Sequence, residues 1–418
     1  MTDHADVHRT IEALWQMESA KLIARLTRML RDVGRAEELA QDVLVTALEQ
    51  WPADGVPDNP GAWLMTTARH RAIDELRRLK LFERKSALLV GEESADDSEG
   101  DIDDDLLRLM FIACHPVLSM EARVALTLRL LGGLTAPEIA RAFLTTESTI
   151  QQRIVRAKRT LSEARVPFEL PRDEERAARL ASVLEVVYLI FNEGYVATSG
   201  DRWLRPELCD EALRLGRILA ALMSGESEVH GLLALMELQA SRNRARVGAH
   251  GEPVLLLEQN RSQWDPLQIR RGLAALARAE QLGRPLGPHA LQAGIAACHA
   301  RARTADATDW TGIVALYDAL SEVSPSPIIT LNRAVAVSMA YGPQAGLLIV
   351  EALRDDPRLA SYHLLPSVHG DLLQKLGRLQ DAGEQFARAA VLTHNEREKQ
   401  LLLGRAAACR QRTTQATH

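Results

Sequence analysis

From Asn59 to Lys85 the chain reads NPGAWLMTTARHRAIDELRRLKLFERK. Trp63, Leu64, Ala68, Ala72, Ile73, Leu76 and Leu79 recur there at three- and four-residue steps, with Leu64, Ala68 and Ala72 in one row. That period admits a helix and excludes a strand. Asn59-Pro60 interrupts what precedes it and sets up the helix start. On the other faces lie Arg69, His70, Arg71, Arg77, Arg78 and Lys80. Between Arg69 and Lys85, seven Lys or Arg stand against three Asp or Glu, in a chain whose formal net charge is −6. A basic helix inside an acidic protein suits an anionic partner, most often a phosphate backbone, unless it is simply a solvated face.

The same periodicity dominates the remaining chain, and composition agrees with it. Aromatic residues make up 4%, while Leu, Ala, Arg and Glu are abundant, which favours helices over sheets. An all-α protein is expected. Its 418 residues exceed what one hydrophobic core holds, so two to four domains are expected. Cys114, Cys209, Cys298 and Cys409 lie about 90 to 110 residues apart. They form no CxxC pair, so neither a zinc site nor a disulfide framework is indicated. With no leader-like start and no apolar run near 18 residues, the expectation is a soluble cytoplasmic protein without membrane contact.

In chain order, residues 7–33 read as one or two amphipathic helices ended by Gly34. A second helix follows over 36–51, AEELAQDVLVTALEQW, with Leu39, Val43, Ala47 and Trp51 as its buried row. Glu37, Glu38, Gln41, Asp42 and Glu49 give it an acidic, amide-bearing outer face. With the basic helix these segments form a first module over 8–85. Gly91–Asp105 holds nine Asp or Glu and no Lys or Arg, which makes 86–105 an acidic flexible linker.

A second helical module spans 106–166. Within it, LTAPEIARAFLTTESTIQQRIVRAKRTL reads as helix, turn, helix. Thr135 with Glu138 matches a capping box, and Thr145 or Thr146 caps the second helix. Ile150, Ile154, Ala157 and Leu161 pack that helix down. Its outer face carries Glu147, Ser148, Thr149, Gln151, Gln152, Arg153, Arg156, Lys158 and Arg159. Short polar groups followed by cations suit base edges and then phosphates in a major groove; an ordinary helix pair with a charged side is the alternative.

The junction PFELPRDEER leads to a helical domain over 174–418. Near its end Gly312, Ala345 and Ala382 are equivalent, as are Leu316, Ile349 and Phe386, then Ala319, Ala352 and Ala389. The steps of 33 and 37 residues suit tetratricopeptide-like helix pairs, the best single unit being 367–392. From 174 to 300 helices are expected without a clean repeat.

The first two modules resemble the extracytoplasmic-function group of bacterial RNA polymerase sigma factors, in order and spacing. In the 36–51 helix, Glu38, Gln41, Asp42 and Leu44 match the segment that grips the polymerase clamp helices. Pro60, Trp63, Leu64, Ala68, Arg69, Asp74, Arg77 and Arg78 match the strand-separating, −10-reading segment, to which His70 and Arg71 also belong. Family members often have Asn where this chain has His70. Residues 135–161 resemble the −35-binding module, with Glu147, Thr149, Arg153 and Arg156 matching its recognition helix. The resemblance implies core RNA polymerase and promoter DNA as partners. It also implies a subgroup whose tetratricopeptide-like extension controls activity, by a protein or peptide partner or by folding back. The run Asn192–Tyr195, NEGY, resembles a motif of that extension.

Sigma function is binding and positioning, so no catalytic residue, metal or cofactor is expected. His363, His369 and Cys114-His115 lack metal spacing or a partner carboxylate. No P-loop, GxGxxG, HExxH or GxSxG occurs. The rival functional reading is a helix-turn-helix regulator that never joins polymerase.

Overall fold

The computed structural model describes residues 4–86, 102–196, 204–248 and 252–416. Among them every named element is a helix, and the one β-bridge pairs Val247 with Pro253. The chain divides into two compact units, Met1–Leu189 and Ile190–His418.

In the first unit, α1 (His4–Leu30) packs on α2 (Val33–Asp54), α3 (Pro60–Ser86) and α4 (Ile102–Ala113). The chain reverses at Arg31, which takes φ +53°, and the Asp32 carboxylate then accepts from Arg35 N at 3.0 Å to cap α2. Gly34 therefore does not end the first helix. It lies in the opening turn of α2, where a Cβ would stand 3.1 Å from Asp32 Oδ1. The buried stripe of α2 is Ala36, Ala40, Val43, Ala47 and Trp51, while Leu39 is only half-buried. Asn59 accepts from Ala62 N at 3.1 Å and, with Pro60, starts α3.

Residues 87–101, which hold most of the expected acidic linker, lie outside the described residues. Its last residues are not linker. Ile102 opens α4, and Asp103, Asp104 and Asp105 occupy the first turn, where the helix dipole favours negative charge. Asp105 is fully buried; it takes a hydrogen bond from Arg108 at 2.8 Å and faces Arg25 at 3.4 Å.

The remainder of this unit is α5 (Met120–Leu130), α6 (Ala136–Ala142), α7 (Glu147–Glu163) and the first part of α8 (Asp173–Tyr195). The 167–173 junction is not where packing ends. Ser182 Oγ donates to Cys114 O at 2.6 Å, and Arg179 donates to Phe111 O at 2.9 Å, so α8 closes over α4 and α5.

The second unit continues with α9 (Pro206–Leu222), α10 (Ser227–Ala240), α11 (Pro266–Gln281) and α12 (Pro288–Arg301). Then come α13 (Trp310–Val323), α14 (Pro327–Tyr341), α15 (Pro343–Ala352), α16 (Leu364–Lys375), α17 (Leu379–Leu392) and α18 (Glu396–Ala416). Five of these ten helices begin at Pro, whose missing N–H costs nothing in a first turn. From α12 onward each helix packs on the next. Gly312, Ala345 and Ala382 fall near the starts of α13, α15 and α17, the placement that a helix-pair repeat requires. Their reasons for being small differ. A Cβ on Gly312 would meet its own cap, Asp309 Oδ2, at 2.4 Å, whereas Ala382 is buried in the last core. Close helix approach falls instead on Gly370, where a Cβ would stand 2.9 Å from the Phe386 ring.

Candidate nucleic-acid interface

On α3 the row Leu64, Ala68 and Ala72 is buried, and Trp63 meets Trp51 edge-on with centroids 5.3 Å apart. Trp63 is half-buried, so part of its ring is anchored in the core and part is open. Arg69, His70, Asp74, Arg77 and Arg78 are exposed. Arg77 faces Asp74 at 3.6 Å, one helical turn away. Arg71 is turned the other way: it donates to Thr46 Oγ1 at 2.7 Å and lies 3.7 Å from Asp42 Oδ2. One residue expected to read the −10 element thus pairs with one expected to hold polymerase.

Among the other α2 positions, Glu38 is exposed, Leu44 is half-buried, and Gln41 reaches inward to Glu37 Oε1 at 2.8 Å. Glu37 was expected on the outer face, but it is 4% exposed. Arg129 of α5 donates to its carboxylate at 2.6 Å, and Lys158 of α7 forms an ion pair with the other oxygen. Two cations satisfy a carboxylate that a lone outward row would have left in water. Glu37 thereby ties α2 to the helix-turn-helix.

The capping box is present at α6: Glu138 accepts from Thr135 N at 2.8 Å while Thr135 Oγ1 accepts from Glu138 N. Desolvation of Glu138 opposes ionisation, and these Thr135 bonds outweigh it, holding its pKa below the usual carboxylate range. The turn passes through Leu144 at φ +47°, a left-handed residue that no glycine marks in the sequence. Thr146, the second of the two Thr candidates, caps α7 by accepting from Thr149 N at 3.2 Å. Its hydroxyl also bonds the hydroxyls of Ser148 (3.0 Å) and Thr149 (2.7 Å), which pre-arranges that end of the helix. Ile150, Ile154, Ala157 and Leu161 are buried as their spacing implied. Glu147, Ser148, Gln151, Gln152 and Arg156 are exposed, and Thr149 and Arg153 are half-buried. Gln151 is bonded to Glu147 at 2.8 Å. Lys158 faces Glu37, away from that group.

Residues 14–81 match Sigma-70 region 2, and residues 108–161 match Sigma-70 region 4. The chain belongs to the sigma-70 family, in its extracytoplasmic-function group. It is 29% identical over 150 residues to the ECF RNA polymerase sigma factor SigK of Mycobacterium sp. (strain KMS), covering 34% of this chain and 76% of that one. It is 24% identical over 183 residues to the probable ECF RNA polymerase sigma factor SigI of Mycobacterium tuberculosis (strain ATCC 25618 / H37Rv), covering 42% and 62%. It is 44% identical over 384 residues, 89% of each chain, to an uncharacterized protein of Rhizobium meliloti (strain 1021). Residues 179–280 match a family of unknown function. No solved structure matches.

The candidates for other chemistry resolve into structure. Burial raises the Cys114 thiol to about 11, and its sulfur lies 3.4 Å from Thr127 Oγ1. Desolvation, with Arg179 nearby, lowers His115 to about 4. His363 does have a carboxylate partner, contrary to expectation: Nε2 stands 3.0 Å from Glu398, which Thr393 also holds at 2.6 Å. Sequence reading missed it because 35 residues separate the pair. Among the described residues no cluster suits a metal ion, and no helix is long and apolar enough to cross a membrane.

Proposed function

We propose that this sigma factor holds core RNA polymerase through the exposed side of α2, with Glu38, Asp42 and Leu44 in contact. In the same reading α3 captures the −10 strand and α7 reads the −35 duplex. The observation that carries this is the shared orientation of each helix: its apolar row is buried, and its charged and polar row, acidic on α2 and cationic on α3 and α7, is left at the surface. Arg69, Arg77 and Arg78 serve phosphates, Trp63 supplies an edge for an unstacked base, and Gln151, Gln152 and Arg156 face the duplex. The activity is binding and positioning without covalent chemistry, carried out in the cytoplasm. The second unit, a tetratricopeptide-like array, sets the level of activity and takes a protein or peptide partner on its helical surface.

The test is transcription from a cognate promoter by core polymerase with the purified full chain. The reading requires initiation that depends on this chain. Replacing Arg78 by Gln should flatten the salt dependence of promoter binding by about 0.7 in log–log slope, the value for a single-strand phosphate. Failure of the chain to co-purify with polymerase or to initiate would leave only a regulator with a helix-turn-helix.

A further inference from the structure

The run Asn192–Tyr195 leads to an unusual concentration of cations in the second unit. A Cβ on Gly194 would stand 2.6 Å from Cys209 N and 2.9 Å from Arg205 O, so this turn of α8 lies against the start of α9 without room for a side chain. Glu193 is buried against Arg205, and Tyr195 stacks on Phe191 at 5.6 Å. Tyr195 in turn holds two guanidinium groups. Arg246 donates to its carbonyl at 2.5 Å with the guanidinium 3.5 Å from the ring centre, and Arg242 donates to its hydroxyl at 2.5 Å.

A third guanidinium arrives from the irregular stretch 252–265. Arg261 lies 4.8 Å over the Trp264 ring, and Arg242 lies 5.8 Å over the same ring. Arg261 is met by the carbonyls of His299 (2.6 Å) and Ala302 (2.7 Å), whose partial charge at the end of α12 answers part of its own. Nothing comparable meets Arg242. Among the described residues neither Arg242 nor Arg261 pairs with a carboxylate, and Arg242 Nε has no hydrogen-bond partner. Beneath them Trp264 is 5% and His299 7% exposed, and Trp264 Nε1 and His299 Nδ1 are buried without a partner. Buried donors of this kind are normally satisfied, and a cationic cluster in a low dielectric needs a counter-charge.

We propose that this cluster, with Arg242 and Trp264 at its centre, binds a small oxyanion: a metabolite carrying a carboxylate or phosphate group. The aromatic rings occupy guanidinium faces and leave N–H edges for a planar or tetrahedral anion. His299 fits the same picture. Burial and the charges of Arg242 and Arg261 lower it to about 4, so it stays neutral until an anion offsets that field.

The test uses the full chain with inorganic phosphate, glycerol 3-phosphate and succinate as probes, each compared with chloride at matched ionic strength. Calorimetric titration and thermal unfolding are the readouts, and neither depends on polymerase. At least one probe should bind saturably at one site per chain and raise the unfolding temperature; which of the three does so separates free phosphate, a phosphate ester and a carboxylate. Arg242→Gln should weaken binding roughly 10- to 100-fold, the loss expected for a charge-assisted hydrogen bond. The same substitution should leave the unliganded protein no less stable. Arg261 is unsuitable for this because it also ties down α12. If Arg242→Gln prevents folding, Trp264→Phe decides, since it keeps an aromatic face and removes the unsatisfied N–H. The proposal fails if none of the probes binds, or if binding survives these substitutions unchanged.

Discussion

Replacing Glu37 by Gln keeps the shape of the side chain and removes only its charge, leaving Arg129 and Lys158 against an amide. The Glu37 side chain is 5% exposed and its partners 23% and 20%, so most of the interaction lies out of water. Removing one member of a buried pair costs about 3–5 kcal/mol, and the fifth of each cation still hydrated brings the expectation down to about 2–3 kcal/mol. Lys158→Gln is milder, about 1 kcal/mol, because Arg129 still serves the carboxylate. A double-mutant cycle on the full chain, unfolded in urea and followed by tryptophan fluorescence, measures the coupling directly. Trp51 is buried on the same helix as Glu37 and reports this unit. A coupling of about 1–2 kcal/mol is expected, and a value within about 0.3 kcal/mol of zero would refute the assignment. Duplex binding supplies a second reading. Freed by Glu37→Gln, Lys158 should add about 0.9 to the log–log salt slope, while Lys158→Gln in the wild-type background should leave the slope unchanged. If Lys158→Gln alone flattens the slope, the lysine already sits on phosphate and the pair does not persist.

Further outcomes follow from packing and protonation. His299 titrates near 4 when folded and near 6.5 when unfolded, so between those values the unfolded chain binds the extra proton and stability falls as pH drops. The loss reaches at most about 3 kcal/mol by pH 4 and should shrink in His299→Gln, as measured by urea unfolding across that range. Gly194→Ala forces a methyl onto backbone atoms of α9 and should cost about 1–3 kcal/mol or more. Gly216→Ala meets the flexible end of Met236, with Leu233 at ordinary contact distance, and should cost visibly less when the two variants are compared by thermal unfolding. A chain ended at residue 166 should unfold earlier than one ended at 195, because it loses the Ser182 and Arg179 bonds that cover α4 and α5. Equal unfolding temperatures would show that α8 contributes nothing to the first unit. Activity comparisons between full length and a cut near Pro167 therefore mix control with loss of cover.

What the sequence disclosed and what it withheld divide along a physical line. Periodicity, caps and breakers act within a few residues, and they sufficed for α3, for the capping box at Thr135 and for the four buried positions of α7. In the second unit Gly312, Ala345 and Ala382 each fall near the start of a helix. Where these local signals failed, the deciding partner was distant along the chain. Glu37 looks like one more acid on a polar face until Arg129 and Lys158 arrive from 92 and 121 positions further on, and Asp105 looks like linker until Arg25 covers it. The NEGY run is the same case: its glycine answers to Cys209 and its tyrosine to Arg242 and Arg246, none of which its own neighbourhood implies. Charge seen locally is ambiguous between a binding face and a buried pair, and only the fold decides. That is why Lys158, which belongs by spacing with the duplex-facing residues of α7, is held by Glu37 in the isolated chain, while Arg156 one half-turn away remains at the surface. The difference between those two cations is set by a helix more than a hundred residues upstream, and it is the reason the Glu37 cycle tests the fold and the interface at once.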